Sequence, residues 1–147
     1  LVWMDRFVSV IPIGILFGRL GNFLNGELWG RNTNMVWGMF FPQAGMIVQR
    51  HPSQLYEMLG EGVLLYFFLT WIGRKKRHPG ILTACFLFGY GVIRFILEYW
   101  REPDAQVGLI AGVFSLGQVF SLFLIGFGGI WLWRMTLGRG CLEKNML

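Results

Sequence analysis

The sequence predicts an all-α integral membrane protein of about four transmembrane helices, with a small irregular extracytoplasmic head segment after the first. Three observations support this. Of 147 residues, 54% are hydrophobic and only 14% are charged, where a soluble domain carries about 25% charged residues. The apolar residues gather in runs of about 20, the length that crosses a ~30 Å hydrocarbon core. The basic residues sit at the ends of those runs, as the positive-inside rule expects. The net charge of +5 therefore reports membrane topology, and nucleic acid is excluded as a partner.

The first run spans residues 5–24 and contains Pro12, which a membrane helix tolerates when neighbours satisfy the freed carbonyl. No n-region, h-region and cleavage site precede it, so no signal peptide is expected. It leads into residues 18–31, GRLGNFLNGELWGR, with Arg19, Asn22, Asn25, Glu27 and Arg31 interleaved with Gly18, Gly21, Gly26 and Gly30. Ionisable groups at the edge of a membrane segment need a partner or a polar cavity. Glycines let backbone approach backbone or ligand and permit positive φ. This stretch is expected to end a helix and to hold a polar or anionic ligand against the backbone.

Residues 25–51 are too irregular for a span and read as the head, built of short strands or turns. Trp29, Trp37, Phe40 and Phe41 suit an interfacial aromatic belt. The second span, 54–72, follows Pro52 and Ser53, which fit first-turn and capping preferences. Its Glu57 and Glu61 lie four apart, hence on one helical face. The third span, 81–101, is apolar except for Tyr90, Arg94, Glu98 and Tyr99. Positions 90, 94, 98 and 101 share a face. A polar loop is expected over 102–112, then a fourth, uncharged span over 113–133. Its Gly126, Gly128 and Gly129 suit helix packing. Cys85 lies in an apolar run and Cys141 near a basic tail, and neither placement suggests a disulfide or a metal site.

Residues 74–77, with Arg134, Arg139 and Lys144, hold seven of the thirteen basic residues. The two clusters are two crossings apart, so they share one side, the cytoplasmic one. The polar groups at 19–31, 51–61 and 94–104 then converge on the opposite side, at one depth.

Arg19 and Arg94 fit either structural ion pairs with Glu27, Glu57, Glu61 or Glu98, or bidentate binding of a phosphate. His51 fits an interfacial turn or a proton carrier with near-neutral pKa. Asn22 and Asn25 suit either helix capping or ligand contact. A transporter half or a structural membrane subunit would also account for the spans. Charges gathered at one leaflet rather than at the midplane disfavour transport.

The stretch at 18–31 resembles the signature of the bacterial prolipoprotein diacylglyceryl transferase family. Residues 50–57 (RHPSQLYE) and 89–104 (GYGVIRFILEYWREPD) resemble the same family in the same order. The resemblance implies a multi-pass enzyme of the bacterial inner membrane, with its active face toward the periplasm. Such an enzyme moves the diacylglyceryl group of phosphatidylglycerol onto the lipobox cysteine of a prolipoprotein, giving a thioether and glycerol 1-phosphate. The family's phospholipid-binding arginine falls on Arg19, and its Asn, Glu and Gly of that motif fall on Asn22, Glu27 and Gly30. Its later Tyr, Arg and Glu fall on Tyr90, Arg94 and Glu98. The match covers the family's C-terminal part. The family's other half, with an essential histidine beside a glycine pair and a functional tyrosine, has no counterpart here, and a fragment inactive alone is the expectation.

The candidate catalytic residues are therefore Arg94, Glu98, Tyr90, Glu27 and His51. The candidate substrate-binding residues are Arg19, Asn22, Gly30, Asn25 and Gly21. The expected partners are phosphatidylglycerol, the lipobox of a prolipoprotein and membrane lipid, with no metal and no cofactor. The predicted topology has a direct test: a cysteine at position 32 should react with an impermeant thiol reagent in intact cells, and one at position 76 should not. Labelling at position 76 would overturn the orientation.

Overall fold

Backbone amides in an apolar run have no water to bond, so they close on their own segment as helix. The computed structural model of the chain, which describes residues 1–45, 48–75, 78–102, 109–110 and 114–144, is mostly helical. Helix α1 is Val2–Leu24, and at 23 residues it is about 35 Å long. Helix α2 is Ser53–Gly73, α3 is Ile81–Leu97 and α4 is Leu116–Lys144. Three helical stretches are long and apolar enough to cross a membrane: Val2–Leu24, Ser53–Gly73 and Leu116–Leu137. Helix α3, with 17 residues, rises only about 26 Å.

The α3 helix stops short of the expected 101. Tyr99 and Trp100 turn on bonds to the carbonyls of Ile96 and Leu97. Arg101 then leaves the helix to pair with Gly30 in an antiparallel bridge. The fourth helix starts at Leu116 rather than 113, because Phe114–Ser115 pairs with Leu109–Ile110 as a two-residue antiparallel ladder. These strands, β1 (Leu109–Ile110) and β2 (Phe114–Ser115), occupy part of the expected polar loop. Asp104, Lys76 and Arg77 lie outside the described residues.

Helix α2 is not uniform. Between α-helical ends it widens to a π-helix over Met58–Leu64, a distortion frequent at functional sites. Two glycines inside this turn explain how it packs. A Cβ at Gly62 would lie 2.8 Å from Leu16 Cβ on α1, and one at Gly60 would lie 2.9 Å from Ile93 on α3. The residue between them, Glu61, is thus carried into the space among three helices. On α3 and α4, Gly128 abuts the backbone of Phe88 and Gly91 that of Ser121 and Ile125, the close small-residue packing typical of membrane helices. Gly126 faces open space and Gly129 makes ordinary contact with the Phe88 ring, so of the three glycines Gly128 alone permits close approach.

The apolar core is Leu65, Leu69 and Cys85, with Ile72, Phe86, Ile93 and Leu132 packed against it. Trp3, Phe7, Val10 and Phe17 are exposed along α1, as suits a lipid-facing surface. The described residues of the head, 25–45 and 48–51, form a clasp of isolated bridges, Gly30 with Arg101 and Asn32 and Met39 with Arg50. Ser53 does not cap α2 through its side chain. Its hydroxyl donates instead to the carbonyl of Leu28 in the clasp, at 3.1 Å, and Pro52 occupies the N-cap position.

One polar contact ties α1 to α3. The N-cap of α3, Gly80, has no side chain to satisfy the first amides. The carboxylate of Asp5 on α1 does so: it accepts from the amides of Gly80 (2.6 Å) and Thr83 (2.9 Å) and from the Thr83 hydroxyl (2.7 Å). An acid at a helix N-terminus is also favoured by the macrodipole. Asp5→Ala should lower the unfolding free energy in detergent by about 1–2 kcal/mol, the cost of losing a good cap. An unchanged midpoint in a thermal melt would show that this contact is not holding the helices together.

Candidate functional site

Three helices bring their buried ion-paired residues to the same end of the bundle. Arg19 lies in the last turns of α1, Glu57 in the first turns of α2 and Arg94 near the end of α3. Because neighbouring helices alternate in direction, these three places meet. The meeting point is Glu57, which is 1% exposed. Its Oε2 lies 2.9 Å from Arg19 Nη1, and its Oε1 accepts from Arg94 Nη1 at 2.8 Å and stands 3.7 Å from Arg101 Nη1. Glu61, fully buried, reaches the same two helices, with Oε1 3.3 Å from Arg94 Nη1 and Oε2 3.6 Å from Arg19 Nη2. Glu98 Oε2 lies 2.8 Å from Arg94 Nη2.

Three arginines and three glutamates therefore share one buried cluster. Isolated charges at this depth would each cost several kcal/mol, and mutual pairing offsets that cost. The contacts are not equally spent. Arg94 is gripped by three carboxylates. Arg19 has one short ion contact and one at 3.6 Å, beyond hydrogen-bond range. Arg19 also has the most exposed side chain of the three arginines, at 16%. It lines a crevice of about 270 Å³ together with Ile15, Gly18, Asn22, Glu61 and Tyr90. That arrangement can present guanidinium donors, an amide and a phenol to an oxyanion.

Five sequence-predicted residues gather here: Arg19, Asn22, Tyr90, Arg94 and Glu98. Tyr90 stacks on Phe86 with ring centroids 5.7 Å apart. The other five lie elsewhere. Asn25 is the C-cap of α1, its amide bonded to the carbonyl of Gly21. Gly21 has nothing within 4 Å of where a Cβ would stand. Glu27 is exposed and makes no ion pair among the described residues. Its carbonyl instead accepts from the Gln54 amide at 2.6 Å. Gly30 serves the backbone: its amide donates to the carbonyl of His51, and a Cβ would strike the Trp100 carbonyl at 2.5 Å. His51 Nδ1 lies 3.2 Å from the Tyr56 hydroxyl, which also accepts from Trp37 Nε1 at 2.8 Å.

Sequence reasoning left Glu57 and Glu61 as ion-pair partners and did not name Glu57 as the hub. The signal was their shared helical face, in the middle of a chain short of acids. Arg101, placed by sequence on the face of Arg94 and Glu98, was not named as a site residue, and the residues that hold Glu98 were missed.

A family model described as prolipoprotein diacylglyceryl transferase matches residues 1–134. Curated proteins named phosphatidylglycerol–prolipoprotein diacylglyceryl transferase are similar to this chain. That of Vibrio vulnificus (strain YJ016) is 52% identical over 136 residues, 92% of this chain and 49% of the relative. That of Cupriavidus metallidurans is 49% identical over 142 residues, 94% of this chain and 53% of the relative. That of Chlorobaculum tepidum is 49% identical over 131 residues, 88% of this chain and 45% of the relative. The chain spans about half the length of the curated relatives it matches.

The geometry makes Arg94 and Glu98 a unit, since removing Arg94 strands the Glu98 carboxylate in a buried place and removing Glu98 takes away one of the three carboxylates that balance Arg94. Arg94→Ala and Glu98→Ala should each destabilise the folded chain in detergent. The double variant should recover about 0.5–3 kcal/mol relative to the sum of the single losses. Strictly additive losses would show that the two do not act together.

Proposed function

The chain belongs to the prolipoprotein diacylglyceryl transferase family, and on that premise we propose that it carries the phosphate-binding side of an enzyme acting on phosphatidylglycerol. The reaction moves the diacylglyceryl group to the lipobox cysteine of a prolipoprotein. A sulfur–carbon bond forms, the carbon–oxygen bond to the phosphate breaks, and glycerol 1-phosphate leaves with the bonding electrons. The thiol proton passes to a base.

The observation that carries this proposal is Arg19. It opens on a crevice with donors left over, and the carboxylate that orients it also orients Arg94. The attacking sulfur must be a thiolate, and the leaving phosphate gains charge as the bond breaks. Fixed cations at that point lower the barrier because they need no reorganisation. In this scheme Arg19 and Arg94 hold the phosphate. Glu57 and Glu98 set the arginines, and Asn22 and Tyr90 complete the crevice wall. Gly21 leaves the α1 surface open beside it. Glu27, Asn25 and Gly30 act through the clasp, by closing the end of α1. His51, hydrogen-bonded to Tyr56 beside Glu57, is a candidate proton acceptor.

In this scheme α3, lengthened by the turn through Trp100, also spans the membrane and brings the number of spans to four. The cluster then lies at the outer leaflet of the bacterial inner membrane, with the clasp as the periplasmic head. The charges gather at one end of the helices, which suits an enzyme acting on lipid headgroups better than a path through the bilayer.

Arg19 tests the proposal, with the chain carried in a full-length family member and labelled phosphatidylglycerol and a lipobox peptide as substrates. Arg19→Ala should abolish nearly all transfer while the protein stays folded in the membrane. Arg19→Lys keeps the charge but loses the planar fork, and should retain part of the activity. Transfer at the parent rate by Arg19→Ala would remove Arg19 from the phosphate site and leave Arg94 as the leading candidate.

A further inference from the structure

The start of α4 does more than begin a helix. Ser115 precedes its first residue and Gln118 is the third. The Gln118 amide donates to Ser115 Oγ at 3.1 Å, and the Ser115 amide donates to Gln118 Oε1 at 3.1 Å. This is a reciprocal capping box. Ser115 and Gln118 are both buried, each 5% exposed, so the box faces the interior rather than water. The Ser115 hydroxyl, having accepted from Gln118, spends its own proton on Glu98 Oε1 at 3.0 Å. The other oxygen of that carboxylate is the one beside Arg94 Nη2.

Gly117 sits between the two box residues. A Cβ there would lie 2.7 Å from Glu98 Cδ, 2.7 Å from Oε1 and 2.9 Å from Oε2. The Glu98 carboxylate therefore occupies the space that any other side chain at 117 would fill. It lies flat against the first turn of α4, where the macrodipole favours an anion. A capping box needs neither this glycine nor an outgoing bond to a glutamate on another helix. Those two features tie the helix start to the charge cluster.

We propose that Ser115, Gly117 and Gln118 are positioning residues for the anion site. They fix the Glu98 carboxylate, which in turn holds the Arg94 guanidinium at the angle from which it meets the phosphate. The chain of contacts runs from Gln118 to Ser115, from Ser115 to Glu98 and from Glu98 to Arg94. This inference rests on the phosphate role of Arg94 given above, and it adds a specific cause for that arginine's orientation: Arg94 is aimed by a helix terminus on α4, not only by its neighbours on α2.

Gly117→Ala is the decisive variant. Alanine is the better helix former, so the α4 start is not weakened, but its methyl group must push the Glu98 carboxylate aside. In a full-length family member carrying this chain, kcat for transfer from labelled phosphatidylglycerol should fall about tenfold to hundredfold, as misplacements near 1 Å do. The thermal midpoint should stay close to the parent's. In a Glu98→Ala background the same Gly117→Ala change should cost less than about twofold more, because its route of action is already gone. Ser115→Ala should lower kcat as Gly117→Ala does, and Ser115→Thr, which keeps both hydroxyl bonds, should restore it. Parent kcat in Gly117→Ala, or a loss that multiplies with that of Glu98→Ala, would overturn the proposal. Should Gly117→Ala fail to fold, the Ser115 pair decides: equal kcat in Ser115→Ala and Ser115→Thr overturns it. Arg94→Ala is the control that separates the two layers. Parent activity there would sink the phosphate role of Arg94 itself, and the positioning role with it.

Discussion

Glu57 is the contact on which the rest of the structure depends. One buried carboxylate touches guanidiniums from α1, from α3 and from the return of the chain at Arg101. Without it, three cations would face a dry interior with two carboxylates between them. The backbone has been shaped to allow this arrangement. The π-turn at Met58–Leu64 and the glycines on either side of Glu61 let α1 and α3 close in while a second carboxylate reaches the same arginines. The distortion of α2 thus follows from a charge requirement. An undistorted α-helix with larger residues at 60 and 62 would hold its neighbours too far apart for Glu61 to pair with both.

The clasp and the cluster meet at consecutive residues. Tyr56 looks toward the clasp, where its hydroxyl joins Trp37 and His51 and its ring edge meets Trp100. Glu57, next in the chain, looks into the cluster. Arg101 bridges the same two layers, with its backbone paired to Gly30 and its side chain toward Glu57. A shift of the clasp therefore cannot leave the cluster untouched. This gives Gly30 a physical role in the fold: it is the junction where the chain segments through His51 and Trp100 pass too close for a side chain.

The helices were legible because apolar length and basic flanks are properties of composition, which sequence carries directly. The convergence of Arg19, Arg94 and Glu98 was legible for the same reason, since alternating spans bring alternate ends together. The end of α3 was not, because nothing local at Leu97 stops a helix; Arg101 is drawn away by a partner seventy-one residues earlier, Gly30. Pro52 and Ser53 marked the start of α2, but the Ser53 hydroxyl serves Leu28 rather than capping the helix that it opens. Asp5 showed no sign of its role, since it caps a helix that is not its own. The Ser115–Gln118 box could have been found from its Ser-x-x-Gln spacing, but its bond to Glu98 could not.

A cluster with as many acids as bases raises the question of how it could hold a phosphate at all. In a dry site, arginines without counter-charges would be costly and poorly ordered. Glutamates solve that problem and fix the donors in place before any ligand arrives, which is the condition for electrostatic stabilisation without reorganisation. The remaining difficulty is competition, because an incoming phosphate must share guanidiniums already in use. The distances show where sharing is easiest. Arg94 is held at 2.8 Å by carboxylates on two sides, Glu57 and Glu98, whereas Arg19, which lines the crevice, has one short contact to Glu57 and stands with Nη2 3.6 Å from Glu61. In the proposed scheme a phosphate entering there would gain donors at Arg19 without displacing a short contact at Nη2, and the tightly held Arg94 would supply a fixed positive field behind it. On the proposed reading, the unequal grip on the two arginines is what would let a cluster of three acids and three bases serve as an anion site.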